Sequence, residues 1–398
     1  MKNIVALALT ISSIFILTLA VVLYGDGWRI DFSGKTQTNT KPELVKTGML
    51  AIRSIPDGAK VYVNEKLITA TDDTISSLRP STYTIEVKKE GFEPWKKEVK
   101  VFPELVTDIT AVLVLQSPRL EPLTNTDVKA FSLSSNQNDI AFLTSNHEEP
   151  GIWILPLANS PLGVFRNNTR LLIEDTAFAT PSIGEQIWWS PNDKEILIKM
   201  NEKGYLLYTL PAQNTTKLVP LSVTNVQSTL ARWETSWREN FLQPKIELIS
   251  KSQQISKDTM NALENQDTFW SPDEDKFFYL SNNSEDSSKY DITVYNAEDP
   301  LPVAEQRVYH PLQIDDPEKT KVYWYSDSYH LITVDPVPGR DKYYTVSLIR
   351  IDGSNQTPIY TGTLESDQAY TTPSGDKIVV ITSLKDNSKP NLYAIVIR

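Results

Sequence analysis

The chain has 398 residues and is acidic, with 39 Lys and Arg against 50 Asp and Glu and a formal net charge of −11. No basic stripe with interleaved aromatics occurs, which excludes nucleic acid as a partner and disfavours lying flat on anionic lipid. There is no Cys, so disulfides, thiolate metal sites, Cys nucleophiles and a lipid-modified N-terminal cysteine are excluded too.

Ile4 to Tyr24 is a run of 21 residues without charge or Pro. A helix rises about 1.5 Å per residue, so about 20 apolar residues cross a hydrocarbon core of roughly 30 Å. Thr10, Ser12, Ser13 and Thr18 do not prevent this, because each hydroxyl can bond back to a carbonyl one turn earlier. The run predicts a transmembrane signal anchor over residues 1–24, in contact with the lipid bilayer through 4–24. A cleaved signal peptide is the competing reading. Its apolar region runs about 7–15 residues and ends in a small-x-small site, and Ala20 has no good partner for one.

Residues 25–46 read as a juxtamembrane linker. Trp28 and Arg29 lie where an amphipathic ring prefers the headgroup level, with a specific docking motif as the alternative. Ser33 to Glu43 is small and polar and predicts a flexible spacer.

Residues 47–116 alternate in short strands between turns. Leu50 and Ile52 precede the turn Ile55-Pro56-Asp57-Gly58. In that turn Pro presets one φ and Gly accepts a positive one. Ala59, Val61 and Val63 then alternate with polar residues, as do Tyr83, Ile85 and Val87 after the turn Leu78 to Ser81. Trp95, Val99 and Val101 follow Lys89-Glu90-Gly91-Phe92, and then comes the run Ile109 to Leu115. Such spacing predicts a small β-sandwich.

The blocks SIPDGAKVYVN and LRPSTYTIEVKKEGFEPW, in this order, resemble the PEGA domain. Departures are Asp57 for Glu, Glu65 where a turn Gly is common, and Ser81 where Gly is usual. The resemblance implies a cell-envelope location and non-catalytic adhesion or spacing. It also weighs on orientation. Lys2 precedes the apolar run while Arg29, Lys35 and Lys41 follow it, a count that places the bulk of the chain in the cytoplasm. A segment this near the N-terminus acts as a signal anchor, and the PEGA-like region resembles extracytoplasmic modules. The expectation is a single-pass cell-membrane protein with the bulk of the chain extracytoplasmic.

Residues 117–398 repeat an aromatic, Ser-Pro, acidic or Asn turn, Lys and an apolar strand. Copies start near 134, 190, 271, 326 and 372, each followed by a second strand. Only Gly375 keeps a turn glycine, displaced by one position. A period of about 40–55 residues with several strands per unit predicts a propeller. The gap from 190 to 271 leaves room for a degenerate blade near 215–255, making six, with five or seven as neighbouring counts. The block resembles TolB-like propellers, and WD-type repeats more distantly. The fold class is therefore all-β: a PEGA-like sandwich and a six-bladed propeller behind one transmembrane helix.

The aromatic and Ser-Pro residues of the repeat are read as packing and turn residues. Leu230 to Gln266 breaks the pattern with Trp233, Trp237 and Phe241. It reads either as a strand pair with a connecting helix capped by Ser256, or as an insertion on a binding face. Chemistry is sparse. There is no G-x-S-x-G elbow, no H-E-x-x-H and no Gly-rich phosphate loop, and the three His are far apart. No catalytic residue, cofactor or metal is expected. The candidate interaction surface is Trp28, Arg29, Tyr62, Trp95, Trp233 and Trp237, although aromatics placed as Tyr62 and Trp95 are more often sandwich core or domain-edge packing. The expected function is a membrane-tethered binding or scaffolding protein whose propeller presents a face to an envelope protein or glycan. The alternative is a cell-wall glycan-processing enzyme with carboxylates in the propeller funnel.

Overall fold

The computed structural model describes residues 2–31, 43–157, 169–201, 204–211, 215–252, 255–265, 268–282, 286, 288–383 and 389–398. They form two compact units, Met1–Gln116 with Pro300–Gln306, and Ser117–Asp299 with Arg307–Arg398.

In the first unit, α1 (Lys2–Gly25) covers the apolar run. Ser13 and Thr18 bond back to the carbonyls of Thr10 and Ile14 at 2.9 and 2.8 Å. Leu9, Phe15 and Leu17 stand 66%, 69% and 67% exposed. Among the described residues no helix is long and apolar enough to cross a membrane, so the transmembrane expectation gains no support from them. The side chains of 1–6 and 8 lie outside the described residues. What remains falls short of the ~20 residues a crossing needs. The linker also differs from expectation. β1 (Trp28–Asp31) and β2 (Glu43–Lys46) pair antiparallel, Trp28 facing Lys46. Most of the expected spacer, at 32–42, lies outside the described residues.

The sandwich follows as β3 (Gly48–Ile55), β4 (Lys60–Val63), β5 (Lys66–Ala70), β6 (Asp73–Leu78), β7 (Ser81–Lys88), β8 (Trp95–Val101) and β9 (Val106–Val112). One sheet has the order β6-β3-β9, with β3 and β9 parallel, and the other β5-β4-β7-β8. Leu50, Ile52 and Ala111 from the first sheet and Val61, Ile85, Val87 and Trp95 from the second share one buried core. Their alternation selects that face, since strand side chains point to opposite sides in turn. Gly58 takes the positive φ its turn requires, +70°.

The second unit opens with β10 (Arg119–Pro122). Five four-stranded antiparallel sheets then account for the repeat. The first is β11 (Val128–Leu133), β12 (Asp139–Thr144), β13 (Gly151–Pro156) and β14 (Arg170–Glu174). The second is β15 (Gln186–Trp189), β16 (Glu195–Met200), β17 (Gly204–Thr209) and β18 (Leu221–Val223). Next come α2 (Val226–Trp237), a π-helical turn (Arg238–Leu242), α3 (Gln243–Ser252) and α4 (Lys257–Glu264). The third sheet is β19 (Phe269–Trp270), β20 (Lys276–Asn282), β21 (Tyr290–Asn296) and β22 (Val308–Ile314). The fourth is β23 (Lys321–Trp324), β24 (His330–Pro336), β25 (Tyr343–Arg350) and β26 (Thr357–Thr363). The fifth joins β27 (Tyr370–Thr371), β28 (Lys377–Thr382) and β29 (Asn391–Val396) to β10, in the order β10-β29-β28-β27.

These five sheets carry the repeat, each as one four-stranded blade, and the expected count of six is corrected to five among the described residues. The segment expected to hold the sixth is helical. Trp233, Trp237 and Phe241 recur every four residues, the helix period, so their rings fall on one side. Asn225 caps α2, accepting from the Gln227 N–H, and Ser256 caps α4, accepting from the Thr259 N–H at 3.1 Å. Each blade packs through its apolar strands. Ile140, Phe131 and Phe142 of the first meet Val379, Ile381 and Leu392 of the fifth. Ile152 and Ile154 meet Ile196 and Ile198 of the second, and Ile292 and Val294 meet Leu331 and Ile349 of the fourth.

Candidate functional site

The turn after each blade's first strand explains the Ser-Pro repeat. At its start the backbone N–H bonds to a carbonyl five residues on: Ser134 to Asp139, Ser190 to Glu195, Ser271 to Lys276, Tyr325 to His330 and Thr372 to Lys377. The residue three further along donates back to the starting carbonyl, and these five residues all have positive φ: Gln137, Asp193, Glu274, Ser328 and Gly375. Gly375 is therefore not displaced from the repeat. In the fourth copy Tyr325, rather than Ser326, takes the Ser place. The hydroxyl of Ser190 accepts from the N–H groups of Lys194 and Glu195 at 3.1 and 2.9 Å, holding the turn closed.

The turns also grip one another. The Asp193 carboxylate accepts from the N–H groups of Ser135 and Asn136 of the preceding blade at 2.7 and 2.9 Å. Ser328 Oγ accepts from the Asp273 N–H at 3.1 Å. Just before three of these turns stands a Trp, at 189, 270 and 324. Trp189 Nε1 donates to the Ser132 carbonyl at 3.3 Å and Trp324 Nε1 to the Phe269 carbonyl at 2.8 Å, each reaching the preceding blade.

These first strands and turns surround a cavity of about 940 Å³ in the second unit. Its wall gathers Trp189, Phe269, Trp270, Phe278, Tyr323, Trp324 and Tyr370 from the blades, with Trp237 and Phe241 from the helical segment. Trp237 stacks on Phe241 at 5.6 Å, and Phe241 meets Trp270 edge-on at 5.2 Å. Tyr323 and Tyr370 are T-shaped at 5.8 Å. Burial pushes both phenols well above the ordinary tyrosine range, so they stay protonated donors at neutral pH. The polar lining includes the amides Asn136, Gln137 and Asn138 and the carboxylates Glu234 and Glu274. Lys245 Nζ lies 3.5 Å from Glu274 Oε2 and 5.8 Å from the ring centres of both Phe241 and Trp270. Among the described residues no group of three or more His, Asp or Glu is placed to hold a metal.

The expected interaction residues scatter. Trp28 sits beneath Lys46 Nζ at 5.2 Å. Arg29 covers the Tyr24 ring at 3.7 Å and donates to Ser77 Oγ at 3.0 Å. Tyr62 is half-buried under Lys88, while Trp95 is 2% exposed within the sandwich core. Trp233 is buried too, its Nε1 donating to Glu195 Oε2 at 2.7 Å. Trp237 alone of the six lines the cavity. Trp189, Trp270 and Trp324, read from sequence as packing residues, line it as well. The available signal was their common place, one residue before each turn, which puts all three at the same end of their blades.

Residues 47–117 match the PEGA domain family, and no curated protein matches the sequence. Among solved structures, a putative TolB from Agrobacterium tumefaciens is 16% identical, covering 67% of this chain and 79% of that one, with a TM-score of 0.24. TolB from Acinetobacter baumannii is 13% identical over 78% of this chain and 59% of its own, with a TM-score of 0.23. An oligogalacturonate lyase from Vibrio parahaemolyticus is 8% identical over 70% and 96%, with a TM-score of 0.26. Superpositions this partial leave the fold resting on the chain's own strand pairing.

Proposed function

We propose that this chain is a non-catalytic binding protein of the cell envelope, tethered through residues 4–24, whose propeller is a closed ring of five blades holding its ligand in the aromatic cavity. The observation that carries the reading is that cavity: rings from four of the five blades and from the helical segment converge on one space of about 940 Å³. Pockets of this size lined by aromatics with a few polar groups are what ligand sites look like. The PEGA-like region supports the envelope location. The apolar, outward-facing side chains of α1 support the tether, and the PEGA-like region supports an orientation with the bulk of the chain outside.

The test is capture of envelope components by the full chain in detergent, compared with Trp237→Ala. A protein or glycan retained by the parent and lost by the variant is expected. Equal retention by both would remove the cavity from the function. Protease added to intact cells should digest the exposed units; survival until lysis would reverse the orientation. A second reading, glycan processing, is favoured by Glu234 and Glu274 both lining the cavity. Shortening of a captured glycan on incubation, abolished by Glu234→Gln, would replace the binding reading with that one.

A further inference from the structure

The repeat exposes a vacancy in its own hydrogen bonding. Trp189, Trp270 and Trp324 hold equivalent places, and in two of the three the indole N–H reaches a carbonyl of the preceding blade. Trp270 instead follows the helical segment, where backbone carbonyls are engaged by the residues four or five further on. Among the described residues its Nε1 is buried without a partner. Two residues earlier Thr268, 8% exposed, likewise has a buried Oγ1 without a partner. Residues i and i+2 of extended chain point to one side, and both line the cavity. An unsatisfied buried donor costs about 1–3 kcal/mol, a cost that a ligand accepting from it would offset.

The surroundings restrict what that ligand is. A cation is disfavoured, because Lys245 already lies over Phe241 and Trp270. A polyanion is disfavoured by Glu234 and Glu274 at the cavity and by the net charge of −11. An extended peptide would use a free strand edge or a row of aliphatic pockets, and these walls are mainly rings. A neutral, flat-faced, hydroxyl-rich molecule fits each constraint. Its apolar face stacks on an indole, and its hydroxyls accept from unpaired donors and bond to the amides of Gln137 and Asn138.

Resting on the binding role proposed above, we infer that the cavity takes a neutral oligosaccharide, with a sugar ring against Trp237 and hydroxyls on Trp270 Nε1 and Thr268 Oγ1. The test uses the full chain in an amine-oxide detergent, which carries no sugar headgroup. Chitotetraose, maltotetraose and a neutral tetrapeptide are titrated, read by calorimetry and tryptophan fluorescence. One of the two sugars should saturate the protein with a blue shift. Thr268→Val, which keeps shape and loses the hydroxyl, and Trp270→Phe, which loses the N–H together with part of the indole, should each weaken it about five- to tenfold, with the Thr268→Val melting temperature unchanged or raised. Neither sugar binding at up to about 10 mM, or binding unchanged in both variants, would overturn the inference. Saturation by the tetrapeptide alone, lost in Trp237→Ala, would overturn it too while leaving the binding role standing. Silence of all three probes together with no envelope component captured would remove both.

Discussion

Four of the five blade turns place a residue with a Cβ at positive φ, between 56° and 60°. Left-handed backbone costs such residues about 1–2 kcal/mol, but the side chains differ in what they return. The Glu274 side chain is 56% exposed and paired only loosely with Lys245. Asp193 accepts two charge-assisted bonds from the neighbouring blade, worth about 1.5–3 kcal/mol each. Glu274→Gly is therefore expected to leave stability unchanged or raise it by up to about 1 kcal/mol, whereas Asp193→Gly should lower it by about 2 kcal/mol or more. Denaturant midpoints of the two variants check the contrast. Gly375 is held for a different reason. A Cβ there would lie 2.6 Å from Arg398 Nη2 and 2.7 Å from the Tyr325 hydroxyl. Gly375→Ala should accordingly cost about 1–3 kcal/mol through crowding. In the sandwich, Asn64 and Glu65 both take positive φ, 48° and 68°. Glu65 thus occupies the glycine place of its turn under strain, while Ser81 opens a strand with no such demand.

At the scale of elements, the sandwich is where sequence pattern and structure agree most closely. Val61, Ile85 and Val87 are fully buried, as their alternation requires. Val61→Asp should cost several kcal/mol, since an unpaired carboxylate would enter an apolar core. Loss of β signal and of protease resistance in the 47–116 region is the readout. The helical segment was harder to read. Its Trp233, Trp237 and Phe241 spacing is a helix signal, but the 81-residue interval between the copies at 190 and 271 spans two repeat periods, and counting periods favoured a sixth blade. The two indoles then have opposite fates. Trp233 is buried against Leu197, Leu207 and Val223, while Trp237 turns to the cavity. No one-dimensional pattern separates them, because both lie on the apolar side of the same helix.

For the whole molecule, the join between the first and last strands of the second unit decides cooperativity. Arg119 to Pro122 pairs with Tyr393 to Val396, and Lys377 Nζ bonds Glu121 Oε2 at 2.8 Å across the same sheet. Deleting 366–398 removes three strands and uncovers Phe131 and Phe142. The truncated chain is expected to aggregate or lose its melting transition, and a sharp monomeric transition would argue for an open array instead. The join is also sensitive to acid. The Lys377 hydrogen bond, opposed by burial and aided by the charges of Lys377 and Arg119, holds the Glu121 carboxyl below its ordinary 4.5. A lowered carboxyl pKa gives stability that is present above the unfolded value and is lost as pH falls through the folded one. Glu121→Gln should thus melt below the parent at pH 7, with the gap closing below about pH 4.5.

The sequence by itself determined what depends on neighbours along the chain. The buried face of the sandwich strands, the five repeat turns and the Ser256 cap follow from alternation, turn chemistry and capping, all of which act over a few residues. Only the tertiary structure decided the number of sheets, the pairing of β10 with β29 and the partners of the three equivalent tryptophans. Those depend on what a blade meets across space. Trp189 and Trp324 meet a strand with a carbonyl to offer, and Trp270 packs on Phe241 of the helical segment, where its N–H finds no partner.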